Sequence, residues 1–517
     1  MKKPRMQQGG ERRISSALRL LMVALLLAVQ VAFVVLLAHY LEQNAAAVYM
    51  LLQVAALFTA LHIYRKPGDV SYKGAWIITV LFVPVVGFIL YGLWSGDAAR
   101  KREKGLEYKR YEEPESVHLR TELNLEKLQK AYPAWGRLAT YFHKRGFGVY
   151  GATKSTYLAE GRIFLEDMLQ SIEKAERFVF IEFFILAEGE LYDRLFDALR
   201  RKAAEGVEVK IIFDDFGNIK RFSAESLEAL RAAGIGVHIF NPVHEYVNRL
   251  YFNYRDHRKI VAVDGDTVYT GGVNIADEYA GIIERFGHWK DGGVRLTGEG
   301  AWELTKGFMQ MWQRCGGTLE NEYDYYRPLH SVQGSGFVQS FVDGPENNPD
   351  NPAEDVYIQL IDSAKRFLYI TTPYFVPTAE TLRALCIAGD GGVDVRLILP
   401  GIPDHKYTDI VAESYFGELI AHGVKVYRYI PGFLHLKSVM ADREAAFIGT
   451  VNMDYRSFQL HYECGTLLYG APAIEDLLED MDRIVADSRL VTMEEWEKRS
   501  VFKRMIEPVM RLFAIWM

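Results

Sequence analysis

The sequence predicts an α/β protein in which N-terminal transmembrane helices precede two tandem α/β sandwich domains. Two observations carry this prediction: three long apolar runs open the chain, and the remainder contains an internal repeat with a period of about 185 residues. Within the repeat, β-branched and aromatic segments alternate with amphipathic stretches, which is typical of strands alternating with helices.

Composition excludes several classes of protein. The chain has 517 residues, of which 49% are hydrophobic and 25% charged, so it is neither disordered nor collagen-like. Its net charge of −7 argues against a dedicated nucleic-acid binder, so nucleic acid is not an expected partner. The three cysteines, Cys315, Cys386 and Cys464, are widely spaced and predict neither a disulfide framework nor a zinc site.

The apolar runs predict a membrane anchor over residues 1–95 with two or three helical segments. They span Leu20–Ala38, Ala45–Tyr64 and Ala75–Trp94, and none contains Asp, Glu, Lys or Arg. Each has about the 20 residues that a helix needs to cross the hydrocarbon core of a bilayer. A secretory signal peptide would have a shorter apolar region and no further spans after it.

The distribution of Lys and Arg predicts a multi-pass cell-membrane protein whose globular domains lie on the cytoplasmic face. Basic residues precede the first run, recur between the second and third runs, and recur again after Trp94, whereas the first loop has none. Three full crossings would export the last basic segment. Either the third run bends and re-enters at Pro84 and Gly87, or the first run does not span.

The rest of the chain is divided by the repeat. Three segments recur in the same order, beginning at Ala175, Gly206 and Gly234 in the first copy and at Ala364, Gly392 and Gly423 in the second. The predicted parts are a charged juxtamembrane linker over 96–145, one domain over 146–330, a second over 331–490, and a C-terminal amphipathic helix over 491–517. Within that last part, residues 501–517 are typical of an interfacial helix or of a core-packing one.

After the third repeated strand, each half carries the same spaced set of reactive residues. The pattern is H-x-K-x4-D-x6-G-x-x-N in both halves. Its members are His257, Lys259, Asp264 and Asn274 in the first half, and His435, Lys437, Asp442 and Asn452 in the second.

The spacing of the motif favours binding of an anion. A His and a Lys two residues apart in a strand point to the same face, so both can approach one substrate. Two lysines, two amides and backbone N–H groups that converge on one point would bind a tetrahedral anion without a metal or another cofactor. The anion that fits this set most simply is a phosphodiester.

These paired motifs resemble the phospholipase D superfamily, and the strings "YFNYRDHRKI", "GGVNIADEY", "TTPYFVP" and "GTVNMDYRSFQLHYE" are similar to bacterial cardiolipin synthases. The resemblance runs from about Lys73 to the end of the chain. It implies two phospholipase D-like α/β sandwich domains that are related by pseudo-twofold symmetry and share one active site. By analogy, His257 is the nucleophile and His435 the general acid and base, although the two motifs are symmetric in sequence.

The resemblance also implies roles for the residues around the histidines. Lys259, Lys437, Asn274 and Asn452 would hold the non-bridging phosphate oxygens. Asp264 and Asp442 complete the catalytic motif, with turn geometry and local pairing as their alternative role. Gly272 and Thr450 stand where many superfamily members have Ser, so neither position is given a required hydroxyl.

Two further groups of residues are candidates for the site. Aligning "KDGGVRLTG" with "YECGTLLYG" places Asp291 opposite Glu463, and we expect these acids to orient the histidines, with ordinary strand-end acids as the alternative. Arg255, Arg258 and Arg456 are candidate contacts for an anionic lipid headgroup.

The implied reaction takes two phosphatidylglycerol molecules to cardiolipin and glycerol through a phosphohistidine intermediate. The expected partners are therefore phosphatidylglycerol and the bilayer, and the oligomeric state is left open. One alternative is a membrane phospholipase D type hydrolase, or a phosphatidyltransferase with another alcohol acceptor. Others are a nucleic-acid phosphodiesterase and an inert membrane scaffold.

Overall fold

The structure is a computed structural model that describes residues 45–94, 113–242, 254–330, 332–347, 350–512 and 514, together with residues 28, 31, 32, 35 and 36. The first apolar run lies outside the described residues apart from those five positions, and the basic segment after Trp94 lies entirely outside them. The chain divides into two compact units, residues 1–99 and residues 100–517.

In the N-terminal unit, one described helix is long and apolar enough to cross a membrane. It is α1 (Ala45–Arg65), with 21 residues and a length of ~30 Å. The third apolar run is divided between α2 (Val70–Phe82) and α3 (Pro84–Trp94), each ~20 Å long or less and too short for a hydrocarbon core of about 30 Å. The prediction of several transmembrane helices is therefore wrong for this part of the chain.

The predicted bend in the third run is confirmed, and it is a tight helical hairpin. Pro84 begins α3 directly after α2 has ended. A Cβ atom on Gly87 would lie 2.7 Å from the carbonyl oxygen of Thr79, so only glycine permits this approach. Lys66 donates a hydrogen bond of 2.7 Å to the hydroxyl of Tyr91, which shows that the end of α3 returns to the residues before α2.

The second unit contains two mixed sheets. The strands of the first sheet are β1 (Thr153–Leu158), β2 (Phe178–Phe183), β3 (Glu208–Asp214), β4 (Gly236–Phe240), β6 (Lys259–Val263), β7 (Thr267–Gly271) and β9 (Gly293–Gly298). Those of the second are β5 (Arg255–Asp256), β10 (Phe337–Asp343), β11 (Phe367–Thr371), β13 (Asp394–Pro400), β14 (Lys425–Tyr429), β16 (Ser438–Ala441), β17 (Ala445–Gly449), β19 (His461–Tyr469) and β20 (Ser488–Leu490). Two small sheets pair β8 (His288–Lys290) with β15 (Gly432–Leu434), and β12 (Phe375–Val376) with β18 (Met453–Asp454).

The two large sheets have the same strand order. The first runs β1-β9-β7-β6-β2-β3-β4, and the second runs β10-β19-β17-β16-β11-β13-β14 before β20 extends its edge. In both sheets the strands that follow one another through helices are parallel, and the strands that carry the motifs form antiparallel hairpins. The α/β class and the internal repeat are confirmed. The domain boundaries and the pseudo-twofold relation stay predictions, which the equal strand orders support.

Helices surround and separate the sheets. They are α4 (Glu115–Ala131), α5 (Gly136–Lys144), α6 (Gly161–Glu173), α7 (Glu190–Ala204), α8 (Asp215–Asn218), α9 (Ala224–Ala232), α10 (Trp302–Arg314), α11 (Pro352–Ser363), α12 (Ala379–Asp390), α13 (Lys406–Ala421), α14 (Tyr455–Gln459), α15 (Ala473–Ala486), α16 (Met493–Glu497) and α17 (Val501–Leu512). The described part of the predicted linker thus forms α4 and α5, and Trp135 between them is fully buried.

Strand β2 shows how the sequence divides the unit into two cores. Its side chains alternate between the two faces of the sheet, as the pleat requires. Phe178 and Phe180 belong to a core that also includes α10, α15 and residues of the second sheet. Val179 and Ile181 belong to a core beneath α6 and α7. A strand buried on both faces reads as a continuous apolar run, which is how the repeated strands appear in the sequence.

The aspartates of the two motifs form the turns that end the motif strands. Asp264 and Asp442 have φ values of 53° and 55°, in the left-handed region that Asp tolerates better than most residues. The carboxylate of Asp264 accepts hydrogen bonds from the N–H groups of residues 176–178, and that of Asp442 from those of residues 365–367. Each carboxylate thereby attaches the motif hairpin to the start of a neighbouring strand.

These contacts support a structural role for Asp264 and Asp442, and their membership of the catalytic set stays a prediction. Lys259 begins β6 and Asp264 directly follows its last residue, so the two are five positions and ~16 Å apart along the strand. The carboxylate is already occupied by three N–H donors at that distance. The alternative role in turn geometry and local pairing is the one that the structure supports.

We predict that Asp442→Ala lowers the free energy of unfolding by about 3 kcal/mol, because three N–H groups lose their charged acceptor. Asp442→Asn should cost less than half of this, since Asn tolerates a positive φ and keeps one acceptor oxygen. Thermal unfolding of the purified full chain measures both, with the exposed Asp197→Ala as the matched control. Equal midpoints for Asp442→Ala and the control would contradict the structural role.

Candidate active site

The two halves of the second unit exchange short strands at the site. The strand β5, which precedes His257, pairs in parallel with the start of β19 in the other half. The strand β15, which precedes His435, pairs in the same way with β8. The N–H of His257 donates to the carbonyl of Tyr462 at 2.9 Å, and that of His435 to the carbonyl of Lys290 at 2.7 Å. Each histidine is thus fixed by the backbone of the opposite half.

This exchange brings each histidine to a carboxylate of the other half. Nδ1 of His257 lies 3.0 Å from both carboxylate oxygens of Glu463, and Nδ1 of His435 lies 2.6 Å from Oδ2 of Asp291. Both acids are fully buried, and the histidines are 7% and 6% exposed. A carboxylate that accepts from Nδ1 leaves Nε2 unprotonated and free to react. The alignment identified these acids, but not that they act across the halves.

The motif lysines lie beside the same two histidines. Nζ of Lys259 donates to the carbonyl oxygen of His257, and Nζ of Lys437 to that of His435, both at 2.6 Å. Burial lowers the pKa of Lys259 to about 8 and that of Lys437 to about 7, against the opposing effect of nearby Glu463 and Asp291. The structure therefore brings together both histidines, both lysines and both acids.

The histidines are neutral in this environment. Burial, followed by the charges of Lys259 and Lys437, lowers the pKa of both imidazoles well below its usual value. Burial also raises the pKa of Asp291 to about 7, although Lys437 opposes this shift. A neutral imidazole with a free Nε2 is the form that can attack phosphorus.

The two motif asparagines differ in how far they are already occupied. Asn274 donates to the hydroxyl of Tyr279 at 2.8 Å and accepts from the N–H of Ile185 at 3.1 Å. The side-chain oxygen of Asn452 is buried and has no hydrogen-bond partner in the described part of the chain. A buried polar atom of this kind is costly unless a ligand or water pairs with it. Asn452 is therefore the more available of the two.

Two of the three candidate headgroup arginines are structural. Arg255 is 1% exposed and forms a buried ion pair with Asp214 at 3.0 Å. Arg258 is also buried and donates to the carbonyl of Asp343 at 2.9 Å. It lies between His257 and Lys259 and so points to the opposite face of the extended chain. Both side chains thus have partners within the protein, and a headgroup contact of Arg255 or Arg258 stays a prediction.

The third arginine belongs to a part of the site that the sequence did not reveal. Nε of Arg456 lies 3.3 Å from Nε2 of His461, whose ring centroid is 5.5 Å from that of His257. Nδ1 of His461 lies 3.6 Å from Glu463. The only available signal was position, because His461 stands two residues before the aligned carboxylate and shares its face of the strand.

The equivalent position in the first half holds a different kind of residue. Trp289 stands two residues before Asp291, and its ring centroid lies 5.7 Å from that of His435. The rings of Tyr279 and Phe433 also lie next to this histidine, with their centroids 5.4 and 5.7 Å from that of His435. The two halves therefore share a backbone arrangement, but three aromatic rings lie around His435, whereas His257 lies beside Phe184, His461 and Arg456.

A second asymmetry concerns the position after the motif glycine. The hydroxyl of Thr450 donates to Glu463, whereas a Cβ atom on Gly272 would lie only 2.2 Å from Oδ1 of Asp291. Glu463 thus has an additional donor, and Asp291 occupies the space that a side chain at residue 272 would need. The sequence showed this difference between the halves but not its steric reason.

One cluster of metal-ligating side chains occurs among the described residues. Ligand atoms of His257, His461 and Glu463 lie within 4.8 Å of one another. The surrounding charges oppose a cation there, because Lys259 and Arg456 both lower the pKa of His257 through positive charge. The same charges favour an anion, so the donor set suits a phosphodiester better than a divalent metal.

Comparisons with known proteins agree with this geometry. The family described as "Cardiolipin synthase, PLD-like domain" matches residues 168–281 and again 357–485, and the family described as "Phospholipase_D-nuclease N-terminal" matches residues 52–96. A cardiolipin synthase of Clostridium perfringens is 34% identical over 462 residues, which cover 85% of this chain and 93% of that protein. The chain belongs to the cardiolipin synthase family of the phospholipase D superfamily.

Other members of the cardiolipin synthase family match over a similar length. The major cardiolipin synthase of Bacillus subtilis is 32% identical over 471 residues, covering 89% of this chain and 96% of its own. Among solved structures, a phosphatidylserine synthase of Haemophilus influenzae has a TM-score of 0.56 at 16% identity, covering 71% of this chain and 94% of that one. At that identity the likeness concerns the fold alone.

We predict that kcat/KM on a phosphodiester substrate falls as the pH rises from about 7 to about 8. Lys437 and Lys259 lose their protons in this range, and a neutral amine no longer attracts the phosphate. Lys437→Arg should move the alkaline limb to higher pH, because a guanidinium does not titrate there. The measurement is a pH profile of the full chain in lipid vesicles.

The matched control for this profile is Lys425→Arg. Lys425 is partly exposed and paired with Asp394, so its replacement should leave the alkaline limb unchanged. An alkaline limb at the same pH in Lys437→Arg and in the unmodified chain would show that the motif lysines do not set it.

Proposed function

We propose that the protein transfers a phosphatidyl group between two phosphatidylglycerol molecules, giving cardiolipin and glycerol. The observation that carries this proposal is the pair of neutral histidines, each bonded through Nδ1 to a buried carboxylate of the other half, with two buried lysines beside them. This set provides a nucleophile, an acid and base, and cations for a phosphate. Membership of the cardiolipin synthase family supplies the lipid substrates.

In the first step, Nε2 of His257 attacks the phosphorus of one phosphatidylglycerol. A nitrogen–phosphorus bond forms, the bond between phosphorus and the glycerol oxygen breaks, and His435 donates a proton to that oxygen. Lys259, Lys437, Asn274 and Asn452 hold the non-bridging oxygens; these contacts are proposed from position and chemistry. The products of this step are free glycerol and a phosphatidyl-histidine.

The asymmetry of the site supports these roles for the two histidines. The charge of Arg456 adds to those of the lysines in keeping His257 unprotonated, as a nucleophile requires. His435 instead pairs with Asp291, whose pKa is raised to about 7 by burial, so this pair can hold an additional proton near neutral pH. The anionic phosphate would draw that proton to Nε2 of His435, where the leaving oxygen needs it.

In the second step, His435 accepts a proton from the terminal hydroxyl of a second phosphatidylglycerol. The hydroxyl oxygen attacks phosphorus, the nitrogen–phosphorus bond to His257 breaks, and cardiolipin is formed. Both histidines return to their starting states, so each turnover consumes two phosphatidylglycerol molecules and needs no further reactant. The aromatic rings around His435 favour a lipid acceptor there by limiting the access of water.

We also propose that the enzyme is a multi-pass protein of the cell membrane, with α1 and the first apolar run of the sequence as its crossings and its catalytic domains in the cytoplasm. The return of α3 to Lys66 supports a hairpin that enters and leaves the bilayer on one side. The basic residues before α2 and those of the segment 100–110 then share the cytoplasmic face, as the positive-inside rule favours.

We predict that the full chain in phosphatidylglycerol vesicles produces cardiolipin and an equal amount of glycerol. His257→Ala and His435→Ala should each lower the rate about 10³-fold or more, because each removes a group that makes or breaks a bond. The exposed His330→Ala is the control and should keep full activity. Phosphatidic acid without cardiolipin would instead indicate a hydrolase. In vesicles that also contain a second lipid with a free hydroxyl or amine headgroup, a product other than cardiolipin and phosphatidic acid would indicate another acceptor.

We predict that the covalent intermediate forms on His257. A phosphatidyl ester of p-nitrophenol has a leaving group that needs no proton, so His435→Ala should react with it and retain the labelled phosphatidyl group on His257. His257→Ala should retain no label, and the control His422→Ala should behave like the unmodified chain. Mass spectrometry of the peptides locates the adduct, and label on His435 in the His257→Ala protein would reverse the assignment.

A further inference from the structure

The helix α17 packs against the protein through its charged residues. Glu507 is buried, and its carboxylate accepts from Nε of Arg499 at 2.9 Å. Lys503 forms an ion pair with Glu413 on α13, and the guanidinium of Arg511 lies 4.0 Å from the ring centroid of Tyr415 on the same helix. This side of α17 is therefore held by ion pairs and a cation–π contact.

The opposite side of α17 presents large apolar side chains to the outside. Val501, Phe502, Met505 and Val509 are 71%, 74%, 71% and 52% exposed, and we call these four residues the apolar stripe. Residues 501, 505 and 509 recur every four positions, so they lie along one face of the helix. A surface helix of a globular protein has the reverse arrangement, with its apolar face inward. The stripe therefore indicates a surface that contacts something else.

The charges around the stripe indicate what that contact is. Helix α17 itself carries three basic residues and one acidic residue, and the acidic residue is the buried Glu507. Arg504 and Arg511 are exposed, whereas Lys498, before the helix, is paired with Glu494. An apolar face flanked by Lys and Arg is the arrangement of helices that lie in the interface of a membrane with anionic lipids.

We propose that the apolar stripe inserts into the interface of an anionic bilayer and holds the catalytic unit against the membrane surface. The four side chains of the stripe are more than half exposed, so the acyl chains of a bilayer could surround them. A second copy of the chain is a poorer occupant, because a symmetric contact would place the exposed basic residues of both copies together. The same chain also carries α1, which is long and apolar enough to cross a bilayer.

Spin labels on α17 test this proposal without reference to catalysis. Cys386 and Cys464 are fully buried, so a Cys315→Ala background allows a nitroxide to be attached at Phe502→Cys, Met505→Cys or Val509→Cys. In vesicles of anionic lipid, we expect collisions with oxygen to rise and collisions with an aqueous nickel chelate to fall at all three positions. Labels at Lys498→Cys and at the exposed Leu490→Cys are controls and should stay accessible to nickel.

Each outcome of the experiment decides the proposal. Nickel accessibility at the stripe equal to that at residue 498 would overturn it. If the distance between labels on two copies of the chain is short in detergent and unchanged in vesicles, a second copy covers the stripe and the proposal is overturned. Labels on the stripe that are immobile in detergent, and whose mobility does not change when lipid is added, would show that another segment of the same chain covers the stripe. Because no outcome involves turnover, failure here leaves the proposed phosphatidyl transfer unaffected.

Discussion

The candidate active site depends on two hydrogen bonds that cross between the halves of the second unit, from His257 to Glu463 and from His435 to Asp291. Each half supplies an imidazole and the carboxylate that pairs with the other half's imidazole. Neither half therefore contains a complete site. The crossed pairing of β5 with β19 and of β8 with β15 fixes these contacts through the backbone, so assembly of the two halves and assembly of the site are the same event.

The candidate active site holds buried cations although the whole chain is acidic. The protein carries a net charge of −7, yet burial holds Lys259 and Lys437 beside two neutral histidines. Removing the lysines from water makes their charged forms costly, and a bound phosphodiester would relieve this cost by pairing with them. The lowered pKa values of the two lysines thus indicate a site in which binding of an anion would stabilise the buried cations.

The two halves have the same strand order but differ in the side chains next to the histidines. His461 with Arg456 stands beside His257, and Trp289 with Tyr279 and Phe433 stands beside His435. A repeated backbone supplies two equivalent positions for a histidine, and the adjoining residues give the two imidazoles different surroundings, on which the proposed separation of nucleophile and acid rests. The difference between the halves lies in single residues on a common scaffold.

The sequence by itself determined the α/β class and the duplicated motif, and it predicted the two acids beside the histidines and a bend at Pro84, because strand periodicity, spacing and proline act locally or repeat along the chain. Only the tertiary structure decided which carboxylate meets which histidine, since those contacts join residues 206 and 144 positions apart. It also paired Arg255 with Asp214, paired Asp264 with backbone N–H groups, and left the apolar stripe of α17 exposed. Spacing in a sequence shows which face of a strand a residue occupies, but the packing of the other half decides what that face meets.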